Sequence, residues 1–328
     1  MKITVVGSLN YDLVTFTDRV PAAGETFQAN AFENHLGGKG LNEAIAAARL
    51  LPKNSDISVR MVGNVGDDTF GKELKQALVD ASVDTTHVKT IANKSSGVAV
   101  ILVEKHNGEN RILITGGAND DLKPTAEDYV QYFPESEPEF VMLQNEYPDT
   151  INTIDWIKTN RPAINIAYNP SPFKPERISS KTLKQIDLLI LNEGEALDVA
   201  KFLLSDSELE QFQSSIETDK VQGFSDLARK LQSLINHDNV QTIVITMGAK
   251  GSIYVSKESK DVAFEPSRKI EKVVDTTGAG DTFFGGVVTK LASGKKIDEA
   301  VKYATIASSL VIQKNGAVES IPTFEQVI

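Results

Sequence analysis

The chain has 328 residues, of which 41% are hydrophobic and 24% are charged, and its formal net charge is −11. These proportions are typical of a soluble globular protein, and the negative charge argues against nucleic acid or an anionic membrane as the main partner, because either would require a basic surface. The absence of cysteine excludes disulfides, thiolate metal sites and covalent thiol catalysis.

Targeting and metal-binding patterns are missing from the sequence. No apolar run reaches the roughly 18 residues of a membrane span. Met1-Lys2 leads directly into strand-like residues, so we expect no signal peptide and a cytoplasmic location, with the nucleus as a further compartment. The histidines are scattered and lack the i, i+4 spacing that puts two metal ligands on one helical face.

Short β-branched segments alternate along the chain with segments of helical apolar spacing. The predicted strands are residues 3–6, 58–62, 140–143, 164–167, 188–191 and 242–246. The predicted helices are residues 40–51, 69–81, 151–158, 193–204, 224–235, 281–292 and 297–313. This alternation predicts one doubly wound α/β domain over residues 1–328, with a mostly parallel sheet flanked by helices and ligands at the carboxyl ends of the strands.

Two stretches depart from this alternation and predict a second, smaller sheet. Residues 26–32, 97–103 and 110–115 alternate apolar and polar residues as half-exposed strands do, and the last two are joined by the turn-prone His106-Asn107-Gly108. We interpret them as a discontinuous β-sheet, formed by about 13–35 and 95–117, that projects from the main domain. A sheet with one apolar side needs a cover, so we expect a lid over a ligand cleft that also serves as a dimer interface.

Polar side chains follow the first predicted strand and precede the first predicted helix. Asn10 and Asp12 are two apart in an extended segment, so their side chains point the same way; an Asx turn, which needs only one of them, is the alternative. Lys39 and Asn42 lie about one helical turn apart in the glycine-rich segment 37–42, which lacks the spacing of a Walker loop. Close backbone approach together with these donors and acceptors suits a polyhydroxylated ligand.

An acidic polar segment, residues 205–222, separates two predicted helices. We expect a solvated insertion in the form of a flexible surface loop. A regulatory or partner-binding role is the alternative, and the composition does not favour it.

The turn Asp275-Thr276-Thr277-Gly278-Ala279-Gly280-Asp281 carries the strongest chemical signal. It lies between the β-branched run 272–274 and an apolar helical stretch, so that Asp281 stands where a helix begins. The small residues leave backbone N–H groups exposed, and these can hold a phosphate beside a potential general base. A turn that needs glycine only for a positive φ would not need Asp275 and Asp281 together. The turn therefore predicts phosphoryl transfer to a hydroxyl.

The segments 37–42 and 275–281 together resemble the two signatures of the ribokinase (pfkB) carbohydrate kinase family. They occur in the family's order, about 235 residues apart, and Gly24-Glu25-Thr26 and Asn169-Pro170-Ser171-Pro172 extend the similarity across the chain. The resemblance implies a doubly wound α/β fold with a β-sheet lid that often also forms a homodimer contact. It also implies transfer of the γ-phosphoryl group of ATP to the 5-hydroxyl of D-ribose, giving D-ribose 5-phosphate and ADP.

The resemblance further assigns residues to the sugar site. The positions that would bind the sugar are Asn10, Asp12, Gly37, Gly38, Lys39, Gly40, Asn42, Glu146 and Asp281. Asp281 would be the catalytic base, and the N–H groups of Gly278, Ala279 and Gly280 would stabilise the transferring phosphoryl group. Glu146 taken alone could be a surface acid, but its position after a predicted strand favours the site.

Nucleotide and cation positions are also implied by the resemblance. The nucleotide would be bound by Asn192, Glu195, Thr246, Gly248, Ala249, Lys250, Gly251, Gly280 and Thr305, and Glu195 would organise Mg²⁺ through water. K⁺ would be held by the Asp275 carboxylate, the Ser320 hydroxyl and the carbonyls of Thr277, Val311, Lys314 and Gly316. The alternatives are helix capping for Glu195 and a simple β-turn for residues 246–251.

Three other functions remain open. The nearest is a related kinase for another sugar or a nucleoside, such as fructose, adenosine or a deoxy sugar acid, because such relatives share the catalytic turn. A non-catalytic sugar-binding regulator would be expected to lack the base, and Asp281 is intact. An NAD-dependent enzyme is disfavoured because no Gly-x-Gly-x-x-Gly follows the first strand.

Overall fold

The structure is a computed structural model that describes residues 1–106, 109–134, 139–259 and 261–328. Its strands are β1 (Lys2–Val6), β2 (Asn10–Thr17), β3 (Ala31–Gly37), β4 (Ser58–Gly66), β5 (Asp84–Ile91), β6 (Gly97–Glu104), β7 (Asn110–Thr115), β8 (Glu139–Leu143), β9 (Asn165–Tyr168), β10 (Leu188–Asn192), β11 (Thr242–Thr246), β12 (Gly251–Val255) and β13 (Ala263–Pro266). Its helices are α1 (Lys39–Arg49), α2 (Thr69–Asp80), α3 (Ala126–Tyr132), α4 (Thr150–Asn160), α5 (Ser180–Leu183), α6 (Glu193–Leu203), α7 (Asp206–Thr218), α8 (Lys220–Gln232), α9 (Ala279–Ala292), α10 (Ile297–Val311) and α11 (Phe324–Val327). Short 3₁₀ helices span Gly117–Asp121, Pro175–Arg177 and Gly248–Lys250.

Nine of the described strands form the main sheet, in the order β13-β12-β11-β10-β9-β8-β1-β4-β5. The strands from β11 to β5 in this order pair in parallel, whereas β12 and β13 are antiparallel at one edge. The predicted, mostly parallel α/β fold is therefore confirmed. Because the carboxyl ends of parallel strands meet at one edge, the segments after β1, β8, β10 and β11 are brought together there.

The side chains of the central strand β1 alternate between two hydrophobic cores. Ile3 and Val5 belong to the core that contains α1, α9 and α10, and Val6 belongs to the core on the opposite face, with α4, α6 and α8. Helices therefore cover both faces of the sheet, which explains why a central strand such as β8 is buried along its whole length.

The second sheet has the order β3-β2-β6-β7 and forms the lid. Two of its predicted strands, residues 97–103 and 110–115, are confirmed as β6 and β7. The predicted strand at 26–32 is wrong: residues 26–30 have no regular structure, and β3 begins at Ala31, where it pairs with Phe16 of β2. Strand β2, which pairs with β3 and β6, was not predicted, although Tyr11, Val14 and Phe16 are residue types that favour strands. Asn107 and Gly108 of the predicted turn lie outside the described residues.

One further prediction was wrong in local structure. The segment 205–222 forms α7 and the start of α8 instead of a flexible loop. Ser205 caps α7, and Leu209, Phe212 and Ile216 recur at helical spacing and pack against the core. The β-branched run 272–274 is not a strand; Val273 and Val274 are exposed and line the cleft described below.

In the four described stretches of the chain, no helix combines the length and apolar character needed to cross a membrane.

Candidate active site

The carboxyl edge of the main sheet and the inner face of the lid enclose a cleft of about 730 Å³. The predicted sugar-binding residues that line it are Asn10, Asp12, Gly38, Lys39, Asn42, Glu146 and Asp281. Gly37 and Gly40 do not line it but allow close packing: a Cβ on Gly37 would lie 2.3 Å from Asp12 Oδ2, and a Cβ on Gly40 would lie 2.7 Å from the Ser8 carbonyl oxygen. The lid contributes an apolar wall, whose residues the sequence analysis did not name individually: Val14, Phe16, Ala99, Ile101, Val103, Ile112 and Ile114.

Two glycine-initiated helices bring the polar residues of the cleft together. Helices α1 and α9 begin after Gly38 and Gly278, whose φ angles are 88° and 76°. The helices pack so closely that a Cβ on Gly285 of α9 would lie 2.8 Å from the Cβ of Ala46 in α1. This small-residue contact holds the first turns of both helices side by side.

Asp281 lies in the first turn of α9 and is held by residues of α1. Its Oδ2 accepts a 2.8 Å hydrogen bond from Asn42 Nδ2, and its Oδ1 lies 3.4 Å from Lys39 Nζ. The side chain is 11% exposed and lines the cleft. A carboxylate that is anchored on one oxygen and faces a cleft is suited to accept a proton from a bound hydroxyl.

Lys39 is surrounded by carboxylates. Burial disfavours its charged form, but Asp281 and Glu146 outweigh burial and raise the pKa of Lys39 above its ordinary value. Glu146 also accepts a 2.9 Å hydrogen bond from the Lys39 backbone N–H and a short one from Ser8 Oγ. The ammonium group therefore stays charged and balances the negative wall of the cleft.

Asn10 and Asp12 lie in β2 with one residue between them, and both line the cleft, as the spacing predicts for an extended segment. Burial and, after it, the charge of Glu146 raise the pKa of Asp12 to about 7. The Asp12 carboxyl group consequently exchanges its proton near neutral pH.

The turn before α9 differs from the prediction at one residue. Gly278 and Gly280 line the cleft, and their N–H groups make no hydrogen bond within the described part of the chain. The N–H of Ala279 instead donates to the Thr276 carbonyl at 3.3 Å, because the helix closes its first turn there. The structure thus leaves two of the three predicted donors free for an anion.

Except for Gly280, which lines the cleft, and Thr305 of α10, the predicted nucleotide residues lie at or just after the ends of two neighbouring strands, outside the lining of the cleft. Asn192 of β10 and Thr246 of β11 are register partners. Asn192 and Glu195 form a reciprocal capping box at the start of α6, as the helix-capping alternative for Glu195 predicts. Glu195 Oε2 also accepts a 3.2 Å hydrogen bond from Asn169 Nδ2. The 3₁₀ helix Gly248–Lys250 follows β11, with φ angles of 53° at Gly248 and 130° at Gly251. Thr305 is a nearly buried residue of α10.

Asp275 joins the two segments that contain the predicted K⁺ ligands, the turn itself and residues 311–320. Asp275 Oδ1 accepts from Thr277 N and Oγ1, at 2.9 and 2.7 Å, and Oδ2 accepts from Gly316 N at 3.0 Å. The Val311 carbonyl accepts from Lys314 N at 3.1 Å, and the buried Ser320 hydroxyl donates to Ala317 O at 2.7 Å. The donor set is one carboxylate and otherwise neutral oxygens, which fits a hard, weakly charged cation.

A divalent ion has fewer protein ligands to use. Among the described residues, no group of three His, Cys, Asp or Glu side chains could hold a metal. Glu195 therefore fits Mg²⁺ only as one contact among waters and nucleotide phosphates, which is the usual manner of Mg²⁺ binding in such sites.

Two buried side chains that the sequence did not single out support the cleft. Ser8 fixes Glu146 through the hydrogen bond given above. The side chain of Asn119 forms hydrogen bonds with Leu9 and Asn10, which lie 110 and 109 positions away in the sequence. Ser8 lies between the first predicted strand and Asn10, so its position could have suggested a role, whereas nothing local in the sequence marks Asn119.

This arrangement is similar to that of known proteins over the whole chain. The model of the pfkB family carbohydrate kinases matches residues 1–324. A ribokinase of Schizosaccharomyces pombe is 33% identical over 331 residues, covering 100% of this chain and 96% of the relative. A deoxyribokinase of Salmonella typhimurium is 31% identical over 333 residues, covering 99% of this chain and 97% of the relative.

Solved structures have the same architecture. The Arabidopsis thaliana ribokinase complexed with ribose and ATP aligns with a TM-score of 0.79 at 29% identity, covering 99% of this chain and 96% of that one. The alignment therefore spans the residues of both glycine-initiated helices and of the lid.

Proposed function

The chain belongs to the pfkB family of carbohydrate kinases, and we propose that it transfers the γ-phosphoryl group of ATP to the 5-hydroxyl of D-ribose, giving D-ribose 5-phosphate and ADP. The observation that carries this proposal is the placement of Asp281 in a cleft beside Lys39, Asn42 and two free backbone N–H groups. Relatives that are named ribokinases, at about one-third identity over the full chain, support ribose as the acceptor.

The polar floor of the cleft would bind the sugar hydroxyls. Asp12 and Glu146 provide acceptors, and Asn10 and Lys39 provide donors. The apolar lid face would exclude water from the bound pentose, which strengthens each polar contact beneath it.

Asp281 would take the proton of the attacking hydroxyl. The pKa of a sugar hydroxyl is far above neutral, so the carboxylate receives the proton late, as the new bond to phosphorus forms. The N–H groups of Gly278 and Gly280 would stabilise charge on the phosphoryl oxygens. Removal of one comparable preorganised donor in other enzymes costs about 3 to 4 kcal/mol.

The nucleotide would lie along the ends of β10 and β11, with its phosphates directed towards the start of α9. Asn192 and the turn 246–251 would bind it, and Glu195 would organise water around Mg²⁺, whose charge neutralises the phosphates. The ligands around Asp275 would hold K⁺, which would strengthen the positive field of the turn.

A cation titration tests this last assignment. In the wild type we expect activity to rise with K⁺ at constant ionic strength, with Na⁺ a weaker replacement. Asp275→Asn keeps an oxygen on the turn but removes its charge, so the activity should become low and nearly independent of K⁺. Activity that is equal with and without K⁺ in the wild type would contradict the assignment.

The nearest alternative is a sibling kinase, and the similarity to a deoxyribokinase favours 2-deoxyribose as the competing substrate. ADP release should be measured with ribose, 2-deoxyribose, fructose and adenosine at equal concentrations. We expect the largest kcat/KM for ribose. A larger value for another acceptor would leave the phosphoryl-transfer chemistry intact and reassign the substrate.

We also propose that the outer face of the lid forms a homodimer contact. Leu113 and Val100 are register partners on the face opposite the cleft and are 69% and 36% exposed, and Phe32 on the same face is 61% exposed. An exposed apolar sheet face of this kind is typical of an interface. Sedimentation should give twice the chain mass for the wild type and the chain mass for Leu113→Lys.

A further inference from the structure

The chain leaves the lid at Asn119, which is 1% exposed. This residue lies in the 3₁₀ helix Gly117–Asp121, which follows the last lid strand, β7. Its Oδ1 accepts a 3.0 Å hydrogen bond from Leu9 N–H, and its Nδ2 donates to Leu9 O at 3.1 Å and to Asn10 Oδ1 at 2.8 Å. Leu9 and Asn10 are where the chain enters the lid, so one side chain joins an entry and an exit of the lid.

The backbone of Leu9 determines which way both amides point. An N–H group can only donate and a carbonyl can only accept, so the two bonds to Leu9 fix which atom of Asn119 is oxygen and which is nitrogen. Nδ2 of Asn119 must then meet an acceptor, and this fixes the Asn10 oxygen on that side. Asn10 Nδ2 makes no hydrogen bond to the described residues, and Asn10 lines the cleft.

Gly97 leaves the space that this arrangement requires. It is the register partner of Asn10 on strand β6. A Cβ at this position would lie 2.2 Å from Asn10 Oδ1 and 2.2 Å from Asn119 Nδ2, so any larger residue would separate the two amides. Three segments that are distant in sequence therefore meet at one hydrogen bond.

We propose that Asn119 is a positioning residue that fixes the Asn10 amide with Nδ2 towards the cleft, so that Asn10 donates a hydrogen bond to a hydroxyl oxygen of the sugar. The inference rests on the proposed function. It gives the two polar side chains of β2 complementary roles, since the Asp12 carboxylate accepts from sugar hydroxyls while Asn10 donates to them. The reversed amide would add an acceptor beside Asp12 and Glu146.

Asn119→Asp tests this role with almost no change in shape. The introduced carboxylate still accepts from Leu9 N–H but has no donor for Asn10 Oδ1, so the Asn10 amide turns to donate to it and presents oxygen to the cleft. We expect the dissociation constant for ribose, measured by calorimetry without nucleotide, to rise by about 10-fold or more. The KM for ribose should rise in parallel, and the KM for ATP should stay within about twofold of the wild type.

Gly97→Ala provides a second route to the same change, because its methyl group separates the two amides. It should give the same selective loss of ribose affinity, and it keeps the proposal testable if Asn119→Asp does not fold. Asn64→Ala is the matched control: Asn64 is buried and donates to the Ala118 carbonyl at 3.2 Å, so it anchors the same 3₁₀ helix without contacting Asn10. We expect its ribose affinity to stay within about twofold of the wild type.

An Asn10→Ala background separates positioning from a general structural effect. If Asn119 acts through Asn10, Asn119→Asp should change ribose affinity by less than about twofold once Asn10 has been truncated. An equal loss in both backgrounds, or an equal loss in Asn64→Ala, would overturn the inference. If the wild type binds no ribose, the proposed function is contradicted and the inference with it. If the wild type binds ribose and the Asn119→Asp and Gly97→Ala variants bind it equally well, the inference alone is overturned.

Discussion

The side-chain amide of Asn42 donates a 2.8 Å hydrogen bond to Oδ2 of Asp281, which connects the first turns of α1 and α9. The two residues are 239 positions apart in sequence. The bond occupies one carboxylate oxygen and leaves Oδ1 directed towards Lys39. Asp281 is therefore held in one orientation before any substrate arrives, which is what efficient proton transfer requires.

Removal of the Asn42 amide should weaken catalysis while Asp281 itself stays in place. In Asn42→Ala the carboxylate can rotate away from the hydroxyl, and we expect kcat/KM for ribose to fall by about 10- to 100-fold. Asn160→Ala is a suitable control, because this exposed asparagine donates only to the Trp156 carbonyl of its own helix. Steady-state kinetics of both variants check this, and wild-type values for Asn42→Ala would show that the bond has no catalytic role.

Gly278 and Gly280 should respond differently to the same substitution. A Cβ on Gly278 would lie 3.0 Å from Ala317 in a residue with φ of 76°, so Gly278→Ala should lower both the melting temperature and the activity. A Cβ on Gly280 would meet no atom within 4 Å beyond its chain neighbours and its own helix backbone, so Gly280→Ala should fold normally. Because that methyl group would enter the cleft, we expect Gly280→Ala to lose turnover without losing stability. Equal melting temperatures for the two variants would argue against this view of the turn.

Ribose binding should weaken as the pH falls below about 7. The cause is Asp12, whose pKa of about 7 means that the acceptor carboxylate becomes protonated in this range. The KM for ribose should therefore rise from pH 8 to pH 5.5 in the wild type and be high but nearly constant in Asp12→Asn. The charge of His35 acts on Asp12 and lowers its pKa, so His35→Gln is the control and should keep the rise.

The Asp12 carboxyl group should also make stability depend on pH, in the direction opposite to that of an aspartate whose pKa is lowered by folding. Its pKa is about 7 in the folded chain and about 3.9 in an unfolded one, so the folded state binds the extra proton between these values. The free energy of unfolding should consequently fall as the pH rises from about 4 to about 7, by roughly 1.4 kcal/mol per unit of pKa difference at most. Urea unfolding should show that Asp12→Asn gains stability relative to the wild type between pH 5 and pH 8. If the difference in the free energy of unfolding between Asp12→Asn and the wild type does not change with pH over this range, the pKa of Asp12 lies in its ordinary range.

Two lysines offer a matched comparison of buried and exposed ion pairs. Lys158 pairs with Asp187 and Lys181 pairs with Asp155, both at 2.6 Å, but the lysine side chains are 9% and 72% exposed. Lys158→Met leaves the fully buried Asp187 without its counter-charge, so we expect a loss of about 3 kcal/mol in the free energy of unfolding. Lys181→Met should cost less than about 1 kcal/mol. Denaturant curves measure both, and similar losses would contradict the assignment of Asp187 as a buried charge.

The sequence predicted best what depends on short-range pattern. Residues 40–51 and 281–292 have clear helical spacing and correspond to α1 and α9. The two glycine-rich turns in front of these helices identified Lys39, Asn42 and Asp281 as candidates because the chemistry of each turn is local. The amphipathic spacing of Leu209, Phe212 and Ile216 was available in the same way, but the acidic composition around it suggested a loop.

What could not be predicted depends on contacts between distant segments. The pairing of β2 with β3 and β6 depends on segments far apart in sequence, although residues of β2 such as Tyr11, Val14 and Phe16 favour a strand by type. The hydrogen bond from Ala279 N–H to Thr276 depends on how tightly the helix starts. Asn119 is an ordinary asparagine in sequence and reaches Asn10 only after the lid has folded.

Asp281→Asn tests the central claim most directly. ADP release with saturating ribose, ATP, Mg²⁺ and K⁺ should be followed for the wild type and the variant, and ribose binding should be measured by calorimetry on the same samples. Because the amide cannot accept the proton, we expect kcat to fall by orders of magnitude while the dissociation constant for ribose stays within a few-fold of the wild type. Near-normal turnover by Asp281→Asn would contradict the assignment of this carboxylate as the base, and with it the account of the cleft as a phosphoryl-transfer site.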